Sequence, residues 1–224
     1  MRNMLGKVLM GMAFLAFLTF FGCGGGKELP PGFDCEKALR EATEITISEK
    51  ALSVGKKYDI YVDGYRVAKV SGKSVKVFGD VFELETADGK LLASEKEHKR
   101  MGFKVTRLAS VYDGNDNLMG YIGEEKLTKF FSVGYTFHFY GPDKNQIGVS
   151  DQVNNILRMK QNRFYDNSGN QDYFVQKQRA FKDTYKLSIQ DWESEIPLEM
   201  AIFMVCIEDA IQDAAEEEAE NDDD

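Results

Sequence analysis

Eight consecutive apolar residues, Met200-Ala201-Ile202-Phe203-Met204-Val205-Cys206-Ile207, constrain this chain more than any other stretch. An all-apolar run suits a helix enclosed on every side, or a short core strand. Met, Ala and the flanking Leu198 and Glu199 are good helix formers. Pro197 falls where a first turn would begin, and there its missing N–H costs little. Beyond Ile207 the apolar residues thin to Ala210, Ile211 and Ala214, one face of a helix. The run therefore predicts a helix over about 196–213, fully enclosed at its start and one-sided at its end. Glu208 and Asp209 are expected to mark where it emerges. Eight residues are too few to cross a bilayer, so the enclosing wall must be protein.

The preceding sequence can supply that wall. From Ile45 onward the chain consists of short β-like runs separated by turn chemistry. Tyr58–Val62 meets Asp63-Gly64 and then Val67–Val70. Val81–Glu85 meets Asp88-Gly89 and then Leu91–Ala93. Thr106–Tyr112, Tyr135–Tyr140 and Arg163–Tyr165 each meet a similar turn and a returning strand. Asp, Asn and Gly supply the positive φ that tight hairpins require. Five hairpins, with Ile45–Ile47 and Tyr185–Ile189 flanking them, make about twelve strands. A sheet of that size is expected to curl and close. The fold class follows: mainly β, a closed antiparallel barrel of about twelve strands enclosing a C-terminal apolar helix. Such a barrel is too wide for its own side chains to fill, and the Met200–Ile207 helix is the filling.

The amino terminus reads as an export signal over residues 1–22. Arg2 and Lys7 precede an apolar stretch from Val8 to Phe21. The Gly22-Cys23 junction that follows resembles a bacterial lipobox. Cleavage there would make Cys23 the lipidated N-terminus, held in the membrane by acyl chains at about 0.8 kcal/mol per buried methylene. The alternative is an uncleaved anchor helix from Val8 to about Gly26. Residues 23–44 form a glycine- and proline-bearing tether, with a short helix over Cys35–Thr43 capped by Asp34. Residues 45–213 form the barrel and its helix. Residues 214–224 form an acidic tail expected to be disordered.

Two segments carry a family resemblance. They are SVGKKYDIYVDGYRVAKVSGKSVKVFGDVFELETADGKLLAS and DTYKLSIQDWESEIPLEMAIFMVCIEDAI. Their repeated aromatic strand, Asp-Gly turn and apolar strand, closed by a last strand, an acidic loop and an apolar helix, resemble the tubby C-terminal-like domains. The similarity is greater to the LURP-one-related branch, kin to phospholipid scramblases. The resemblance spans about Ile45 to Asp213. It implies the same barrel-around-helix fold and a role at membranes, because tubby domains bind phosphoinositide headgroups through basic residues.

The chain's charge narrows the partners. The formal net charge is −9. Residues 216–224 carry seven acids, and residues 23–215 balance 26 bases against 30 acids. Nothing global argues for nucleic acid. Two basic groups could meet anionic lipid headgroups: Arg66, Lys69, Lys73 and Lys76 around one hairpin, and Lys96, Lys99 and Arg100 near another. A solvated strand face is the simpler reading of both. His138 sits on an aromatic strand and His98 in a charged stretch, with no partner spacing for catalysis. Asp113, Asn115, Asp116 and Asn117 look like calcium ligands, but lack the loop length and distal glutamate of an EF-hand and suit a turn. Cys206 reads as a small core residue; a Cys35–Cys206 disulfide is conceivable in an oxidising compartment. The expectation is a non-enzymatic lipoprotein of the bacterial cell envelope, without metal or cofactor. It would be anchored through Cys23 in the outer membrane or facing the periplasm, and would contact lipid or an envelope protein. The alternative is a structural or partner-binding scaffold whose one membrane link is its anchor.

Overall fold

The computed structural model describes residues 26–50, 55–72, 81–97, 105–129, 132–154, 161–178 and 183–221. Helix α1 (Cys35–Arg40) precedes thirteen strands. These are β1 (Glu44–Glu49), β2 (Lys57–Val62), β3 (Tyr65–Gly72), β4 (Phe82–Thr86), β5 (Leu91–Glu97), β6 (Arg107–Asp113), β7 (Leu118–Lys129), β8 (Ser132–Tyr140), β9 (Gln146–Ser150), β10 (Val153–Asn154), β11 (Gln161–Asp166), β12 (Gln171–Gln178) and β13 (Thr184–Ile189). Helix α2 (Leu198–Asn221) ends the described chain.

Twelve of the strands close into an antiparallel barrel. Each pairs with its neighbours in sequence, β1 pairs with β13, and β9 bridges β8 and β11. The two-residue β10 adds to the other end of β8. The expected meander of hairpins and its closure are both present. Inward positions alternate along the strands, as the pleat demands. Ile45 and Ile47 face Leu187 and Tyr185 across the closing pair, and Phe137, Phe139, Phe164 and Val175 continue the lining.

The five tight turns, at 63–64, 87–90, 114–117, 142–145 and 167–170, all lie on one rim of the barrel, termed here the turn rim. Each hairpin shifts register just before its turn, at Ile60/Tyr61, Leu84/Glu85, Val111/Tyr112, Phe139/Tyr140 and Phe164/Tyr165. Such bulges add twist, and five of them at one level help the sheet to curl. Within these five turns the positive-φ residues are Asp63 with Gly64, Gly89, Asp116, Lys144 and Gly169. In the third and fourth turns that role falls to Asp116 and Lys144 rather than to the nearby Gly114 and Gly141. In two of these turns an aspartate holds the asparagine four residues on: Asp113 with Asn117 and Asp166 with Asn170.

Helix α2 runs from the turn rim down through the barrel. Met200 to Ile207 are all 0–1% exposed. Burying those eight side chains is worth about 10–20 kcal/mol gross, an upper bound. The helix continues to Asn221, beyond the expected end near 213, through a run of Ala and Glu that favours helix. Segment 26–44 is more than a tether. The backbone N–H of Lys27 donates to the Gly64 carbonyl at 2.8 Å, Lys27 Nζ donates to the Asp63 carbonyl at 2.9 Å, and Phe33 packs on Tyr65. Helix α1 is capped by Asp34, as expected, and inserts Cys35 and Leu39 into the core. Cys35 and Cys206 are both buried and free, so they form no disulfide with each other.

Close approach fixes one glycine. A Cβ on Gly148 would lie 2.5 Å from Ile196 Cδ1 and 2.6 Å from the Tyr165 carbonyl oxygen. Ile196 is the buried residue that leads into α2. Gly148→Ala is expected to destabilise the fold by about 1–3 kcal/mol, which thermal unfolding would register at about 2–4 °C per kcal/mol. An unchanged midpoint would contradict this packing.

Candidate functional site

Because α2 fills the barrel, any site lies at its ends or on its outer face, and the two ends hold the densest clusters of polar groups among the described residues. At the turn rim, the segment between β13 and α2 folds over the barrel mouth. Asp172, at the start of β12, organises it. The carbonyl of Asp172 accepts the N–H groups of Gln190 and Asp191 at 2.8 and 3.3 Å. Ser194 Oγ donates to its carboxylate at 2.5 Å, and Tyr173 donates its hydroxyl to the Ile196 carbonyl at 2.8 Å. Asp172 is fully buried, and its Oδ1 meets no donor among the described residues. Burial pushes this carboxyl above its usual range, with the Ser194 hydrogen bond working against it and the nearby Asp166 charge adding to it.

Beneath that segment lies a pocket of about 530 Å³. Leu92, Met119 and Leu198 give it an apolar wall, and Trp192 stands at its edge, 52% exposed. Its charged groups are Asp113, Asp191, Glu199 and Arg40. Arg40 is already bound by acids on two sides. Its Nη1 is 3.0 Å from Glu199 and its Nε 3.3 Å from Glu36. Glu199 lies in the first turn of α2, where its charge answers the positive end of the helix dipole. Asp113 accepts from Asn115 and Asn117, bonds that hold its carboxyl below its usual range and keep it anionic.

The far end of the barrel holds a buried polar network. Glu208 and Asp209 do not mark the helix's emergence. They are 2% and 0% exposed, and the exposure of α2 rises only from Ile211. The barrel reaches further along the helix than the apolar run, and it supplies inward polar partners. Tyr58 and Tyr185 donate their hydroxyls to Asp209, Tyr58 at 2.8 Å. Asn162 donates to Glu208 at 3.2 Å. Glu49, Asp209 and Asp213 bring carboxylate oxygens together closely enough to ligate an ion. The Lys56 ammonium already sits among them, 2.7 Å from Glu49, 3.7 Å from Asp209 and bonded to Asp213. Burial alone would lower the Lys56 pKa; its bonds to Asp213 and Glu49 and the Asp209 charge outweigh burial and raise it. The trio is an ion-pair cluster around a lysine.

The lipidation and lipid-contact residues singled out in the sequence fall into two sets. Cys23, Lys73, Lys76, Lys99 and Arg100 lie outside the described residues, as does His98. Arg66, Lys69 and Lys96 are described, and each meets a carboxylate: Asp59 at 3.6 Å, Glu85 at 2.7 Å and Asp116 at 3.7 Å. Lys96 also lies over the Tyr112 ring. His138 points outward between Glu125, at 2.9 Å, and Gln146. Asp113, Asn115 and Asn117 form a self-bonded turn.

No helix among the described residues is long and apolar enough to cross a membrane. No family model, curated protein or solved structure matches the chain.

The buried acids give the fold a pH dependence. Burial pushes the Glu208 carboxyl up to about 8, against the Asn162 hydrogen bond and with the Asp209 charge adding to it. Burial also raises Asp209, against its Tyr185 and Tyr58 hydrogen bonds and the Lys56 charge. Between its ordinary value of 4.5 and about 8, Glu208 holds a proton in the folded chain that the unfolded chain releases. The contribution of Glu208 to stability is therefore full below the lower value and falls as pH rises through the window. Glu208→Gln keeps an acceptor for Asn162 and removes this dependence. It should match the parent near pH 4.5 and exceed it by a few kcal/mol at pH 8. Denaturant unfolding at the two pH values checks this; an equal difference at both would contradict it.

Proposed function

We propose that this chain is a non-enzymatic lipoprotein of the bacterial cell envelope, held by acyl chains on Cys23 with the turn rim of its barrel against the membrane. One observation carries the orientation: Lys27 is strapped to the β2–β3 turn. Cys23 lies three residues before Gly26, which rests against the Tyr61 ring. Three residues span at most about 11 Å. A lipid on Cys23 therefore brings that rim to the bilayer surface.

Two features agree with this reading. Among the described residues, the exposed large apolar side chains, Leu29, Leu91 and Trp192, belong to this end of the barrel. Leu29 lies in the strapped segment, Leu91 follows the β4–β5 turn, and Trp192 lies over the mouth. With α2 occupying the interior, binding surface lies at the ends and on the outer face of the barrel, and the turn rim is the part that Cys23 can reach. Direct contact of Arg66, Lys69 and Lys96 with anionic headgroups gains no support, because each cation already has an acidic partner. Exposed pairs of this kind are weak, but they cancel the local field.

Cys23→Ser is expected to move the protein from the membrane fraction to the soluble fraction. In vesicles bearing a headgroup spin label, the lipidated protein should show quenched Trp192 fluorescence. Retention of Cys23→Ser in membranes would overturn the anchor. Unquenched Trp192 in the lipidated protein would overturn the orientation.

A further inference from the structure

We infer that the turn-rim pocket is a binding site for an alkylammonium group. Ammonium ions are attracted to aromatic faces and to carboxylates, most strongly where water is partly excluded. The pocket joins these features. Trp192, the one tryptophan of the chain, is half exposed at its edge. Asp113 and Asp191 line it with no cation of their own among the described residues. Asp113 is held in its turn by Asn115 and Asn117, and Asp191 accepts the Glu193 N–H, so each brings its negative charge to the lining from a fixed position. Glu199 and Arg40, also in the lining, pair with each other. Asp172, a buried carboxyl outside the lining, accepts from the lining residue Ser194 and fixes its position. The wall of Leu92, Met119 and Leu198 suits the methyl or methylene groups such a cation carries. At about 530 Å³ the volume is that of an ordinary small-ligand site.

The opposite assignment, an anion at the amino terminus of α2, fails on charge. Glu199 occupies that first turn, and the one guanidinium nearby is held between Glu36 and Glu199. The surrounding turns are mixed in charge and add no net cationic patch for an anion, with Asp63, Asp88, Asp116, Asp143 and Asp166 beside Lys27, Lys90, Lys96 and Lys144.

This inference rests on the proposed membrane-facing rim only for the source of the ligand. On an anchored rim, the nearest alkylammonium groups are those of zwitterionic lipid headgroups. A free amine shares the same chemistry.

Trp192 makes the test direct, because all tryptophan emission comes from the pocket. The full chain in a non-ionic detergent is titrated with choline, with the uncharged carbon isostere of choline, and with inorganic phosphate. A saturable choline response is expected, with the isostere at least about tenfold weaker and no response to phosphate. The variant Asp191→Asn, whose amide oxygen still accepts the Glu193 N–H, should keep its thermal stability and bind choline about fivefold more weakly. Equal binding of the isostere, or undiminished binding by the variant, would overturn the cation assignment while leaving the membrane orientation standing. Absence of any saturable response would overturn the site. Vesicle flotation of Cys23→Ser separates the sources. Binding to phosphatidylcholine but not phosphatidylglycerol vesicles supports a lipid headgroup. Choline binding without vesicle binding supports a free amine.

Discussion

Everything in this molecule depends on a mutual enclosure. A twelve-stranded barrel leaves an interior that its own inward side chains do not fill, and a helix apolar on all sides finds no stable place at a water surface. Each resolves the other's difficulty. The strand side chains alternate between the helix and solvent, and Met200 to Ile207 meet protein in every direction. Closure also removes the unpaired edges that so long a sheet would otherwise expose. The order of events along the chain fits this arrangement, because the filling is the last element and follows the strand that completes the ring.

Enclosure has a consequence at the far end. The helix carries Glu208 and Asp209 into the interior, where a bare charge is costly. The barrel answers with inward Tyr58, Tyr185 and Asn162, and with the Lys56 ammonium at the rim. The same groups set the helix register, since a shift along the axis would separate Asp209 from both hydroxyls. At the other end, the crossing segment is fixed by Asp172, Ser194 and Tyr173, and its geometry creates the pocket. Register at one end and opening at the other are thus two results of a single threaded element.

Much of the architecture was legible because it rests on periodicity and turn chemistry. The hairpin runs around Asp63-Gly64 and Asp88-Gly89 announce their pairing, and the unbroken Met200–Ile207 run announces its burial. Less legible was whatever depends on contacts distant in sequence. Acids after an apolar run read as a surface, and only the inward hydroxyls of Tyr58 and Tyr185, some 150 and 24 residues away, reveal Asp209 as interior. The pocket combines residues from α1, β5, β6, β7, β12, β13, α2 and the segment before it, so no local motif signals it. The half-exposed lone tryptophan in Asp191-Trp192-Glu193 was the available clue. The strap at Lys27 was hidden within what reads as a flexible tether.

The central claim is that α2 is enclosed by the closed barrel rather than laid against it. Amide hydrogen exchange measures this directly. Enclosure predicts that the amides of Met200 to Ile207 exchange only through global unfolding, with the same protection as β1 and β13 at the closing pair. Exchange of those helix amides at markedly lower protection than the strands would mean that α2 leaves while the barrel stays folded, and would contradict the account.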